Sequence, residues 1–339
     1  MTPERCHAIT SRYSDLRIAV IGDFCLDRYF EIDPAKAEKS IETGLTVHNI
    51  VNVRCQPGAA GTILNNLVAL GVPHLHVIGF CGTDGEGFEL RRSLAARRGV
   101  SLDHFVQTGE RRTFTYTKPL VIEPGKAPAE LNRLDIKNWT PTPAEVRSQI
   151  CRAFLSVADE LDAAILMDQV DLPETGVVTG ELLATVRGYV GSNPDLLMIA
   201  DSRRSLKDYP PVQLKMNSNE LAALTGATKP LHVEEVKAHS ATLAQRQRRN
   251  VFVTMAEQGI VGAAPTGEVH HVPALPVRGE IDIVGAGDAV TANLTAALAA
   301  GATLRESLEL AMAAASIVIH QLGTTGTASI AQLQQFIPA

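Results

Sequence analysis

Between Asp282 and Leu294 the chain reads DIVGAGDAVTANL, and the residues there that could do chemistry are Gly285, Ala286, Gly287 and Asp288. Glycine is the poorest ordinary helix former. Two glycines directly before an alanine-rich helical pattern cost local stability unless the backbone needs freedom or something must approach it closely. The first turn of a helix carries amides without internal partners, and its dipole favours an anion. A phosphate suits that cup, yet Asp288 would repel a phosphate held there alone. The conflict resolves if a hydroxyl is deprotonated as it attacks phosphorus: the carboxylate accepts the proton, and the amides of Gly285, Ala286 and Gly287 receive the developing charge. A positioned general base contributes about 10²–10⁴ in rate and one anion-hole donor about 2.7–4 kcal/mol; together they describe phosphoryl transfer to an alcohol. The same four residues also suit a plain capped turn, in which the Asp is worth about 1 kcal/mol.

Such a turn must sit where a strand feeds a helix, and the surrounding sequence supplies that setting. LRIAVIGD reads as a buried first strand, because Ile18 to Ile21 is a continuous apolar run ended by glycine and acid. TILNNLVALG puts Ile63, Leu67 and Leu70 on one helical face and stops at Gly71; FELRRSLAARRG is a second helix, closed by Gly99. HVIGFCG, DAAILMD, LLMIADS and NVFVTM repeat the buried-strand pattern between helices. This alternation predicts an α/β fold, a mostly parallel sheet covered on both faces. Val290, Leu294 and Leu298 line one face of a helix expected to begin at Asp288. Thr303 and Glu306 have capping-box spacing ahead of a helix that Gly323 should end.

Segments 29–54 and 111–135 break the rhythm with partial alternation of β-branched and polar residues, as in RRTFTYTKPLVIE, which suits antiparallel strands with one wet face. They are expected to form a small sheet beside a single domain spanning 1–339. TPTPAE, from Thr140, returns the chain to a helix.

With 339 residues, 45% hydrophobic and 20% charged, the chain has the composition of a globular protein with a sizeable core, and its net charge of -6 argues against nucleic acid as a partner. Its five cysteines are scattered without a CxxC pair, so neither a disulfide framework nor a zinc site is expected. No apolar run approaches the ~20 residues of a membrane span, and the first residues lack the apolar core of a signal peptide; the expectation is a cytoplasmic protein without membrane contact. Arg91, Arg92, Arg97 and Arg98 read as a solvated helix face. Arg203, Arg204 and Lys207 follow a strand directly; any of them could reach a phosphate from its carboxyl edge, but the segment reads rather as a plain surface loop.

DIVGAGDAVTANLTAALAAG resembles the signature of the PfkB, or ribokinase-like, family of carbohydrate kinases. VIGDFCLD, PGAAGTILNNLVALG, IGFCGTDGEG, MNSNE and HQLGTTG match further family blocks in order and spacing, so the resemblance covers most of the chain. GDFCLDRYF is nearest in wording to the heptose-phosphate kinase type. The resemblance implies a three-layer α/β/α fold with a small antiparallel β lid, ATP and Mg²⁺ as cofactors, and a sugar or sugar phosphate as acceptor. Asp288 becomes the catalytic base, and Asp27, Gly58, Ala59 and Thr62 the sugar-binding residues. Asn217, Thr254, Gly259 and Met312 fall at nucleotide-binding positions. Asn217 and Glu220 would orient Mg²⁺ through water, although they also fit a helix cap. Asp282 and the turn at Gly323 to Gly326 match a site where some members hold a monovalent cation such as K⁺. A lid with a wet face and free edges invites a homodimer.

The departures are local. Ala59 and Thr62 stand where the family commonly has glycine and asparagine, Ile283 replaces a threonine, and DQVDLPETG lacks the lysine of the heptose type. Three classes of function therefore stay in view: an ATP-dependent sugar or nucleoside kinase, a kinase-like binding protein without turnover, and a nicotinamide-dependent oxidoreductase. The last is weakest, since no GxGxxG joins the first strand to its helix.

Overall fold

A computed structural model describes residues 1–336. The chain opens with α1 (Pro3–Thr10) and β1 (Arg17–Gly22), then leaves the body for β2 (Phe24–Ile32), a hairpin of β3 (Glu38–Lys39) and β4 (Thr46–Val47), and β5 (Ile50–Ala59). It returns through α2 (Ala60–Ala69), β6 (His74–Gly82), α3 (Gly85–Ala95), β7 (Val100–Ser101) and β8 (Phe105–Thr108). A second excursion forms β9 (Thr115–Val121), β10 (Ala129–Glu130) and β11 (Leu134–Ile136). The remainder runs α4 (Ala144–Val157), β12 (Ala163–Asp168), α5 (Gly180–Ser192), β13 (Leu197–Ser202), β14 (Gln213–Asn217), α6 (Ser218–Thr225), α7 (Val233–Gln247), β15 (Val251–Thr254), β16 (Ile260–Ala263), β17 (Val269–Val272), α8 (Ala286–Ala299), α9 (Leu304–Ile319) and α10 (Ile330–Gln335).

The main sheet has the order β17-β16-β15-β14-β13-β12-β1-β6-β7, with β8 also on β6. All its pairs are parallel except β15–β16 and β16–β17. Its central strands are buried on both faces, β12 along its whole length, as the continuous apolar runs predict. Helices α4, α5 and α7 pack one face through Phe154, Leu182 and Val236. Helices α2, α8 and α9 cover the other through Leu64, Ala292 and Leu310.

The two excursions meet in a sheet ordered β10-β9-β2-β5, with β11 also on β9. Most of its pairs are antiparallel, but β2 and β9, which come from different excursions, run parallel. The lid starts earlier than residue 29, because β2 follows β1 after Asp23 alone. That acid is buried and accepts the amides of Gln169, Val170 and Val177 at 2.7–3.2 Å. Register fixes two unlike faces. Asp27, Tyr29 and Glu31 share one with Gln56, Arg54 and Asn52 and with Tyr116, Lys118 and Leu120. Phe30 and Ile32 share the other with Val53, Ile50 and Pro119. The polar face turns toward the body, where Gln56 donates to Thr325 at 2.6 Å. Ile50, Val53 and Leu134 remain exposed on the apolar one.

Two boundaries differ from expectation. Helix α8 begins at Ala286, two residues before Asp288, because the left-handed Gly285 supplies its cap. Helix α9 ends at Ile319, well before Gly323, where the His320 ring accepts the amide of Arg278.

Ala59 joins β5 to α2 at φ 53 and ψ -116, a conformation that suits glycine and strains other residues. Such strain costs about 1–3 kcal/mol, while a glycine loses about 0.5–1 kcal/mol in chain entropy relative to alanine. Ala59→Gly is therefore expected to stabilise the fold by about 1 kcal/mol, seen as a higher urea midpoint at unchanged slope; a lower midpoint would contradict the strain.

Candidate active site

The segment after β17 turns into α8 through Gly285, whose φ of 84 only glycine adopts readily. Gly287 has no such backbone. A Cβ on it would lie 3.2 Å from Nζ of Lys215, so its bareness makes room for a side chain of the same protein. The amides of Gly285, Gly287 and Asp288 have no protein acceptor among the described residues, whereas Ala286 donates to the carbonyl of Ile283 at 3.2 Å. Of the three amides expected to form an anion cup, that of Ala286 is therefore engaged in a turn hydrogen bond, while that of Asp288, not one of the three, has no protein acceptor among the described residues.

The Asp288 carboxylate is half-buried in the first turn of α8. Burial, then the nearby Asp201, push its pKa up to about 7, against the opposing pull of Lys215. One turn below, Asp201 at the end of β13 accepts Lys215 Nζ at 2.7 Å and Thr291 Oγ1 at 3.0 Å. The same Thr291 hydroxyl lies 3.1 Å from the carbonyl of Gly287, so its single proton is shared between the two acceptors. Neither Asp201 nor Lys215 stands out in the sequence reading. The available signal was a lysine between Leu214 and Met216 in a strand otherwise buried, where an unpaired charge is untenable.

Across from this turn, β2 presents Asp27. Its carboxylate lies over Gly58 of β5, where any Cβ would collide with it. Burial lifts its pKa to about 6; Lys118, a hydrogen bond from Cys25 at 3.7 Å, and Arg133 hold it down. Lys118 has no carboxylate partner among the described residues and lies 5.8 Å from the centre of the Tyr29 ring. Arg133 is clamped by Asp135 at 2.7 and 2.8 Å. Of the other expected sugar residues, Ala59 is the strained junction, and Thr62 is buried with its methyl toward Gly285, bracing the turn.

Asn217 and Glu220 form a reciprocal cap on α6: the Asn217 side chain accepts the Glu220 amide at 2.9 Å, and Glu220 accepts the Asn217 amide at 2.7 Å. One Glu220 oxygen stays uncommitted, and the pair borders an open cavity of about 270 Å³ lined also by Arg203, Arg204 and Met216. Among the described residues no three His, Cys, Asp or Glu side chains converge as metal ligands. That donor set fits Mg²⁺ carried on nucleotide phosphates with Glu220 in its outer shell, since Mg²⁺ keeps several waters and needs few carboxylates. Thr254 ends β15 beside Asn217, and Gly259 holds a turn at φ 94. Met312 is buried on α9 with Phe252, Ile260 and Leu308, which makes it a core residue. Asp282 spends Oδ1 on the amide of Val284 at 3.0 Å. Arg204 is drawn to Asp168 at 2.7 Å and Arg203 to Asp171 at 3.5 Å, whereas Lys207 is exposed and makes no ion pair among the described residues.

The model of the pfkB family carbohydrate kinase matches residues 16–331. A curated relative, the bifunctional protein HldE of Azorhizobium caulinodans, is 30% identical over 91% of this chain; the chain spans 61% of that relative's length. Phosphofructokinase-2 from Escherichia coli, solved in complex with substrates and products, superposes with a TM-score of 0.70 at 18% identity over 95% of this chain and 98% of its own. Arabidopsis thaliana ribokinase, complexed with ribose and ATP, does so at 0.67 and 19% over 95% and 99%. Likeness at those identities reports fold, and it agrees with the ribokinase-like layers described above; the family rests on the match across most of the chain. This chain belongs to the pfkB family of carbohydrate kinases.

Proposed function

We propose that this chain transfers the γ-phosphoryl group of ATP to a hydroxyl of a sugar or sugar phosphate. The observation that carries the reading is the pairing of a half-buried Asp288 with free amides in the same helical turn, facing Asp27 on the lid. In the transfer, the acceptor O–H proton passes to Asp288 while its oxygen forms the new bond to phosphorus. The bond from that phosphorus to the β-phosphate oxygen breaks, and ADP leaves with the electron pair. The amides of Gly285, Gly287 and Asp288 bear the equatorial charge. Mg²⁺, placed through water by Asn217 and Glu220, would neutralise the phosphates. Asp27 would accept hydrogen bonds from acceptor hydroxyls, and a phosphate on the acceptor would meet Lys118. K⁺ at Asp282 is the finer proposal, resting on the carboxylate oxygen that the Val284 amide leaves free and on the resemblance of the 323–326 turn to the family's cation site. Closure of the polar lid face would exclude water, which otherwise competes as acceptor.

The test is ADP formation from Mg-ATP with a panel of sugars, nucleosides and sugar phosphates. Asp288→Asn should lower kcat by at least ~10² with little change in ATP affinity. If no acceptor lifts wild type above that variant, the kinase reading fails and a binding protein remains.

A base raised to about 7 must be ionised to work, so kcat/KM should fall as pH drops through about 7. The stability sign is opposite. An acid whose folded pKa lies above its ordinary 3.8 contributes fully below that value and loses the contribution as pH rises through about 7. Asp288→Asn should therefore melt close to wild type at pH 4 and above it at pH 8; equal melting at both would remove the burial penalty.

The exposed outer lid, with Ile50, Val53 and Leu134, is proposed to seat a second copy of this chain. Sedimentation should show a dimer, which Leu134→Asp converts to monomer; a wild-type monomer at micromolar concentration would refute this.

A further inference from the structure

We infer that Lys215, held on Asp201 beneath the first turn of α8, is the residue that positions Asp288 and its amide cup for phosphoryl transfer; the inference rests on the kinase reading above. The starting point is Gly287. Gly285 is explained by its left-handed backbone, but Gly287 has no positive φ to require glycine. What it does have is a lysine ammonium where its side chain would be, 3.2 Å from the Cβ position, closer than most real Cβ contacts.

Lys215 reaches that point from β14, an interior strand between β13 and β15. Its side chain is 8% exposed and that of Asp201 10%, so the pair is nearly dry. A dry ion pair is weak as a stabiliser, because desolvation offsets most of the attraction and apolar replacements often serve as well. Its placement distinguishes it from a brace. Oδ2 of Asp201 takes both the Lys215 ammonium and the Thr291 hydroxyl, and that hydroxyl also reaches the Gly287 carbonyl. Three elements, β13, β14 and α8, are thereby tied at one point directly under the turn that carries the base.

The charged groups acting on Asp288 are Asp201 from β13, Lys215 from β14 and Asp27 from β2, and Glu220 of α6 acts in turn on Lys215. Lys215 is the cation of this set. Without it, Asp201 would be an unpaired carboxylate below both the base and the incoming phosphates, repelling each. With it, the face nearest Gly287 is positive, and the carboxylate of Asp288 and the transferred group share an attractive floor.

The experiment compares wild type, Lys215→Met, Asp201→Asn and the double variant, using the most active acceptor of the panel. Lys215→Met alone strands a buried carboxylate and is expected to lose stability; Asp201→Asn in the same chain restores neutrality and should recover the urea midpoint. In the refolded double variant kcat should stay about 10²-fold low, the loss typical of misplaced reacting groups, with KM for ATP within about threefold of wild type. A merely structural pair would recover rate along with stability, so a double variant with kcat within about threefold of wild type overturns the inference. A second readout needs no acceptor: affinity for Mg-ADP with aluminium fluoride, a mimic of the transferring phosphoryl group, against Mg-ADP alone. The double variant should lose roughly tenfold or more for the mimic and little for Mg-ADP. Equal affinities would overturn the role of Lys215 with the kinase reading intact, whereas a wild type that binds no nucleotide would overturn the kinase reading itself.

Discussion

The arrangement depends on holding a half-buried carboxylate next to other carboxylates. As the proposed base, Asp288 has to take a proton near neutral pH and yet sit close to Asp201 and Asp27, each of which disfavours its charge. Two features compensate. The N-terminus of α8 lends free amides and a favourable dipole, and Lys215 puts an ammonium against the bare face of Gly287. Remove both and burial would leave the acid neutral at working pH, unable to accept a proton. Gly285 and Gly287 thus answer different needs: one lets the chain turn, the other lets a cation in.

The sheet explains how these groups converge. In an open parallel sheet the carboxyl ends of the strands share one edge, and that edge is where ligands bind. Asp201, Lys215 and Asn217 lie toward the carboxyl ends of neighbouring strands, while Asp27 arrives from the lid. The lid brings it with the correct face because strand alternation gives the polar row to the body and the apolar row to the outside. One small sheet thus offers a polar face for the proposed acceptor and an apolar face for the proposed second copy.

Much of this was legible from residues alone. The glycine-bounded turn, its acid and the buried strands announce themselves because each obeys a local rule of propensity or periodicity. The capping box at Thr303 and Glu306 is present as spacing predicts, with hydrogen bonds of 2.8 and 3.3 Å. What escaped was set by distance in sequence. Lys215 and Asp201 stand 14 residues apart and draw meaning from being on adjacent strands, which no local pattern reveals. The parallel β2–β9 pair joins two separate excursions, so its register, and with it the direction Asp27 faces, is a tertiary fact. Met312, a position implied by resemblance, packs with Phe252, Ile260 and Leu308, a setting that no local pattern reveals. Ala286 was included in the cup because it sits between two glycines, and a single turn hydrogen bond removes it.

The short passage from β1 into β2 has a mechanical consequence. Only Asp23 separates a strand of the body from one of the lid, and its carboxylate is occupied by three amides of the 169–177 segment. Such a junction has no slack: on the proposed reading, any movement of the lid would flex a continuous ribbon and pull on the 169–177 segment through Asp23. Asp27, four residues further along that ribbon, would then be mechanically linked to the same segment.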